Sequence, residues 1–214
     1  MPRLSQQLQR ARIAALWDRL ARTASPFLVR TTLPTPRVLT SESCGWTALI
    51  GRRRIGLEMR IGIISDTHGL LRPEAAERLA GVDHIIHAGD IGRAEVIEGL
   101  RRIAPVTAIR GNIDQGEWAV AYPQTALVKL GGRSIYVLHD RKALDLDPAA
   151  AGIDVVVSGH SHRPKIETVG GVLYLNPGSA GPRRFSLPIA LATLELTGDA
   201  VRPCIQDVGR RAVH

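Results

Sequence analysis

Residues 59–214 predict an α/β fold, two packed mixed sheets with flanking helices, and three observations carry that reading. Between 61 and 111, short apolar runs alternate with amphipathic, helix-length stretches, and β-α-β-α-β order implies parallel strands joined by right-handed crossovers. After residue 125 most apolar runs come in pairs across glycine-bearing turns, the pattern of hairpins. Hydrophobic residues make up 44% of the 214-residue chain but aromatics only 4%, so Val, Ile, Leu and Ala must fill the space between layers.

The elements follow in order. Residues 61–66 form a buried strand, and 73–80 suit a helix opened by Pro73, whose missing N–H costs nothing at that position. Residues 83–90 (DHIIHAGD) are the second strand, 94–103 the second helix and 106–111 (VTAIRG) the third strand. Residues 127–130 and 134–139 pair across Gly131-Gly132, and 154–158 (DVVVS) is a strand buried on both faces. Residues 165–169 pair with 172–175 across Gly170-Gly171, and 189–196 with 200–206 across Gly198-Asp199.

Residues 1–58 are unlike the rest. They hold ten Arg, no Lys and three acids (Asp18, Glu42, Glu58), so nearly all of the formal +8 charge lies there. Residues 6–21 suit a helix, followed by Pro26, Pro34, Pro36 and Arg52-Arg53-Arg54. Three readings stay open: an extension contacting an acidic partner, an Arg-rich targeting peptide, or residues outside the natural product, because Met59 directly precedes the first strand. The expectation is a basic extension over 1–58, poorly ordered or not native, and one domain over 59–214. Nucleic-acid binding is not expected, because only Trp17, Phe27 and Trp46 could stack bases in that arm. No apolar run reaches the roughly 20 residues a membrane helix needs, so no membrane partner is expected. Cys44 and Cys204 form no CxxC pair, which excludes a cysteine zinc site and fits a reducing, cytoplasmic location.

The chemistry lies in what ends each strand. The first ends in Ser65-Asp66-Thr67-His68-Gly69, the second in Gly89-Asp90 and the third in Gly111-Asn112. The hairpin strand ends in His139-Asp140, and DVVVS in Gly159-His160-Ser161-His162. Ligands of such sheets gather beyond the carboxyl ends of the strands. Imidazoles with carboxylates suit borderline divalent ions such as Mn, Fe, Zn or Ni. Seven ligands exceed one tetrahedral site and suit two ions sharing a carboxylate, about 3.5–4 Å apart. In extended chain, residues two apart point the same way at roughly 6.6 Å, so Asp66 would converge with His68 and His160 with His162. His84, His87 and His214 are read as structural, with His87 on the opposite face from Asp90.

The order DTH, GD, GN, H, GHSH and then Asn176-Pro177-Gly178-Ser179 resembles the calcineurin-like metallophosphoesterase superfamily, and most its small YfcE-type phosphodiesterase branch. The likeness spans about residues 59–196. It implies a four-layer α/β/β/α sandwich. It also implies two divalent ions, Mn2+ first and Ni2+, Fe2+ or Zn2+ as alternatives. Asp66, His68 and His162 would hold one ion, Asn112, His139 and His160 the other, and Asp90 would bridge. The implied activity is hydrolysis of small phosphodiesters, or of monoesters with good leaving groups, by a metal-activated hydroxide in line with the leaving oxygen. The same resemblance leaves a second reading, a non-catalytic scaffold like the retromer subunit of this fold, which lacks some of these ligands. A homo-oligomer stays open.

Two departures stand out. Larger members place a histidine directly after the Asn, where this chain has Ile113, so protonation of the leaving group is in doubt. Asp140 replaces a usual glycine; it either orients His139, crowds the site or is a solvated turn carboxylate, and the last is the reading taken. Arg183 and Arg184 could contact substrate but are left out of the catalytic set. Asn176 and Ser179 are read as turn residues and Trp118 as packing.

Overall fold

A computed structural model of the chain describes Ala15, residues 58–184 and residues 186–209. Apart from Ala15 and Glu58, the expected helix over 6–21 and the basic extension over 1–58 lie outside the described residues, as does Cys44.

The first half runs β1 (Glu58–Ile64), α1 (Pro73–Arg78), β2 (His84–Ala88), α2 (Ala94–Arg101), β3 (Val106–Ile109) and α3 (Glu117–Val120). The second runs β4 (Thr125–Leu130), β5 (Arg133–Leu138), a 3-10 turn (Arg141–Ala143), β6 (Val155–Val157), β7 (Lys165–Val169), β8 (Val172–Asn176), β9 (Ala190–Thr197) and β10 (Ala200–Asp207). Two five-stranded sheets result, ordered β10-β9-β1-β2-β3 and β4-β5-β6-β8-β7. β1, β2 and β3 are parallel, as are β5, β6 and β8. The β4–β5, β7–β8 and β9–β10 hairpins are antiparallel, and β9 returns antiparallel to β1. This is the mixed two-sheet sandwich that the strand and hairpin pattern anticipates.

Period-two alternation sorts the side chains into layers. Ile61 and Ile63 of β1 and Ile86 and Ala88 of β2 meet Ile135 and Val137 of β5 and Val155 and Val157 of β6 between the sheets. The alternate residues Ile64 and Ile85 face outward against Leu79, Ile97 and Leu100 of the α1–α2 layer. Each fully buried isoleucine is worth about 2 kcal/mol of transfer free energy. On the other side, Tyr136, Leu138 and Val156 pack against Ala151 and Ile153. Among the described residues that outer layer is turns and the 3-10 turn. Neither that turn nor the four-residue α3 was anticipated, because both are too short to show periodicity. Trp118 packs against the helical layer and lies edge-on to Tyr122, 6.1 Å between centroids, as its packing role requires. No helix among the described residues is long and apolar enough to cross a membrane.

The consequence for function is positional. The carboxyl ends of β1, β2 and β3 in one sheet and of β5 and β6 in the other lead into the five loops that carry the seven polar residues.

Candidate metal centre

The loop after β1 is stitched to the loop after β2. Asp66 N–H donates to Gly89 O (3.0 Å), His68 N–H to Asp90 O (3.0 Å) and Gly69 N–H to Ile91 O (2.7 Å). The backbone here is left-handed. Asp66, His68, Asp90, His160 and His162 have φ of 54°, 47°, 53°, 65° and 58°, and among the described residues no other non-glycine has positive φ. Each such residue costs on the order of 1–3 kcal/mol, which a fold carries where side-chain placement requires it. The extended-chain route to convergence is therefore corrected. β1 stops at Ile64, and Asp66 and His68 are turned into the centre by left-handed backbone rather than by strand alternation; the same holds for His160 and His162.

Five of the seven side chains meet closely, and His160 and Asn112 adjoin them through His139. His162 Nε2 lies 3.2 Å from Asp66 Oδ1 and 3.3 Å from His68 Nε2. Asp90 spans the middle, its Oδ1 3.2 Å from His139 Nε2 and its Oδ2 3.9 Å from His68 Nε2. The His139 and His160 rings lie edge to face at 5.3 Å, and His160 Nδ1 is 3.3 Å from the Asn112 amide. Two groups have ligand atoms all within 4.8 Å of one another, Asp66–His68–His162 and Asp66–Asp90–His139. Asp66 thus belongs to both groups, and Asp90 joins it in the second.

The donor atoms fit a cation. Asp66 Oδ2 is satisfied by Ser65 Oγ–H (2.7 Å) and His160 N–H (3.1 Å), which leaves Oδ1 facing inward. His139 donates Nδ1–H to Ala88 O (2.8 Å), so its Nε2 lone pair points at Asp90. Asp66 Oδ1, His139 Nε2 and His162 Nδ1 are buried without a hydrogen-bond partner. An unmatched buried polar atom costs about 1–3 kcal/mol, and the His139 Nε2 lone pair facing Asp90 Oδ1 at 3.2 Å repels it unless a proton or a metal ion lies between them. Glycines make the approach feasible: a Cβ on Gly159 would stand 2.7 Å from Asp66 Oδ2, and one on Gly111 would collide with the Asp90 backbone and carboxylate.

Residues not singled out from the sequence hold these loops. The Asp114 carboxylate accepts from Ile91 N–H (3.0 Å), Gly92 N–H (2.7 Å) and Gly111 N–H (2.7 Å), clamping the Asp90 loop to the Asn112 loop. An aspartate three residues after Gly111, in Gly-Asn-Ile-Asp, is the turn signal that could have found it. Buried His87 accepts Gly89 N–H at Nδ1 (3.2 Å), so its Nε2–H donates to Thr67 Oγ1 (2.9 Å), which donates to Ile91 O (3.0 Å). Asn176 donates to Gly159 O (2.6 Å), and Ser179 Oγ–H to Asp66 O (2.8 Å), the turn roles read for them. Asp140 accepts Lys142 N–H (3.0 Å) as a cap of the 3-10 turn; the imidazole it approaches is His160, at 3.9 Å.

Burial raises the Asp66 carboxyl to about 6, partly countered by Ser65 and His139. Burial would raise Asp90 too, but in the metal-free fold a protonated His139, the Ile113 N–H and His68 outweigh it and bring it to about 2. Burial and then the Arg184 charge lower His68, and the same two causes hold His162 at about 4. Asp66 ionises at 3.8 in an unfolded chain, below its folded value. The metal-free fold therefore carries an unfavourable buried charge above pH 6 and sheds it as the pH falls toward 3.8. A cation offsets that penalty but needs Asp66 ionised. EDTA is expected to lower the melting temperature strongly at pH 7.5 and little at pH 5. Equal drops at the two pH values would contradict this assignment.

The two sheets and the ligand cluster at their shared end define an α/β sandwich protein with a candidate metal centre. Residues 59–199 match the family model described as the calcineurin-like phosphoesterase superfamily domain, and the chain belongs to that superfamily. A probable metallophosphoesterase of Methanocaldococcus jannaschii is 36% identical over 138 residues, 58% of this chain and 70% of the relative. One from Bacillus subtilis is 34% identical over 153 residues, 66% of this chain and 87% of the relative. Among solved structures, an archaeal phosphodiesterase superposes with a TM-score of 0.59 at 26% identity, covering 69% of this chain and 100% of that one. Vacuolar protein sorting 29 of Cryptosporidium parvum superposes at 0.62 with 22% identity, covering 72% and 93%, and shows the same fold.

Proposed function

We propose that the chain is a dinuclear-metal-dependent phosphodiesterase acting on small phosphodiesters, with Mn2+ as the working ion. The observation that carries this reading is the convergence of Asp66, Asp90 and the imidazoles of His68, His139 and His162, with Asp66 Oδ1 and His139 Nε2 buried and unmatched. Asp66, His68 and His162 would hold one ion and Asn112, His139 and His160 the other, with Asp90 between. Divalent ions so held supply a water of pKa near 7 and Lewis acidity toward phosphoryl oxygens.

The chain's own groups do the rest. Ser65 and the His160 N–H fix one oxygen of Asp66, and Ala88 O fixes the His139 tautomer, so the donor set is aimed before anything binds. The Asn112 amide stands beside His160, placed to donate toward a phosphoryl oxygen. Arg184 adds positive charge on the His68–His162 side, which favours an anionic ester. Ile113 is 44% exposed, contributes its N–H to Asp90 (3.1 Å) and has no proton to give a departing alkoxide. Turnover with Mn2+ is therefore expected to fall at least about 100-fold from p-nitrophenyl to phenyl diesters, the span a general acid would otherwise recover. Ile113→His is expected to flatten the series. A flat series in the native protein would contradict this account of Ile113.

A protein-interaction scaffold is the second reading, favoured by the fold shared with the sorting protein. It predicts no turnover, whether or not metal is bound.

A further inference from the structure

A cavity of about 630 Å³ opens on the His160 flank of the candidate metal centre, within the range of small-molecule sites. Its walls come from the 3-10 turn, the loop after β6, and strands β7 and β8. Four cations, Arg141, Lys142, Arg163 and Lys165, line it against two carboxylates, Asp140 and Glu167.

Both carboxylates are engaged. Glu167 pairs with Arg141 and with Lys165 Nζ (2.7 Å), and the Arg141 guanidinium stacks 4.2 Å from the centroid of Tyr174, making a fixed wall. Asp140 caps the turn through Lys142 N–H and faces His160. That cap sets Arg141 and Lys142 on the cleft side, which gives the departure at 140 a role. Lys142 and Arg163 are exposed, and among the described residues neither has an acidic partner. A concave site with unpaired cations beside the reacting position concentrates anions.

We propose that this cleft is a specificity subsite, which takes the far arm of a phosphodiester and selects an arm bearing a second anionic group such as another phosphate. The inference rests on the phosphodiesterase reading for its chemistry but stands on the cleft for its binding.

The test uses the full chain with Mn2+ and three p-nitrophenyl esters: bis-p-nitrophenyl phosphate, the ester of thymidine 5′-phosphate, and that ester carrying an added 3′-phosphate. Two exposed cations contribute about a tenfold preference together. The native protein is expected to show a KM about tenfold lower for the ester with the extra phosphate than for its parent. Lys142→Ala with Arg163→Ala is expected to erase that difference and leave the other two esters within about twofold. Equal KM for the two thymidine esters in the native protein, or a rise shared by all three in the variant, would overturn the subsite. Calorimetric binding of thymidine 3′,5′-bisphosphate separates the two ideas. If no ester turns over, the hydrolase reading fails on its own. Weaker bisphosphate binding by the double variant, about tenfold, then still supports the cleft, and unchanged binding overturns it.

Discussion

Asp90→Asn is expected to remove the metals and the turnover together. The Asp90 carboxylate reaches both halves of the centre, His139 at 3.2 Å and His68 at 3.9 Å. Its carboxyl is held near 2 while Asp66 sits near 6, so both are ionised at pH 7 and Asp90 keeps its charge further into acid. Asparagine keeps the volume and the acceptor for Ile113 N–H, so the fold should persist. Loss of the charge between two cations should lower kcat/KM toward a phosphodiester by at least about 10³, the upper range for one electrostatic catalytic group. Metal content by mass spectrometry and turnover of bis-p-nitrophenyl phosphate should fall in parallel. A variant that binds metal and turns over like the native protein would contradict the bridging role.

Asp114→Ala has the largest expected effect on stability. It strips three short hydrogen bonds from Ile91, Gly92 and Gly111, in a setting where Asp114 is 6% exposed. Each buried N–H left unmatched costs about 1–3 kcal/mol, giving roughly 3 kcal/mol or more in all. For a domain of this size that lowers the melting temperature by roughly 10 °C. Because these amides flank Asp90 and Asn112, metal affinity should also fall about 10–100-fold. Asp114→Asn, which keeps one acceptor oxygen, should fall between the two. A melt within about 2 °C of native for Asp114→Ala would show that the clamp is not needed.

Much of this was legible in the sequence. The strand ends at Asp90, Asn112 and His139 stand out because apolar runs such as DHIIHAGD and DVVVS stop abruptly at polar residues. The hairpins were legible because Gly131-Gly132, Gly170-Gly171 and Gly198 mark their turns. What stayed hidden depends on partners far along the chain. Left-handed backbone at Asp66 or His160 is imposed by stitching between loops, such as the Asp66 N–H to Gly89 O bond, and no local preference announces it. Asp114 acts through a backbone amide 23 residues away and His87 through the Thr67 hydroxyl, and their residue types alone read as turn and core. The basic cleft could not be seen, because Arg141, Lys142, Arg163 and Lys165 meet only when the 3-10 turn and the β7–β8 hairpin come together.

The most direct measurement is anomalous diffraction at the manganese edge from crystals of the full chain grown with Mn2+. The predicted result is two anomalous peaks about 3.5–4 Å apart, on either side of Asp90 and in reach of Asp66, His68 and His162 on one flank and His139 and His160 on the other. No peak there, or a single ion distant from Asp90, would contradict the paired-metal centre.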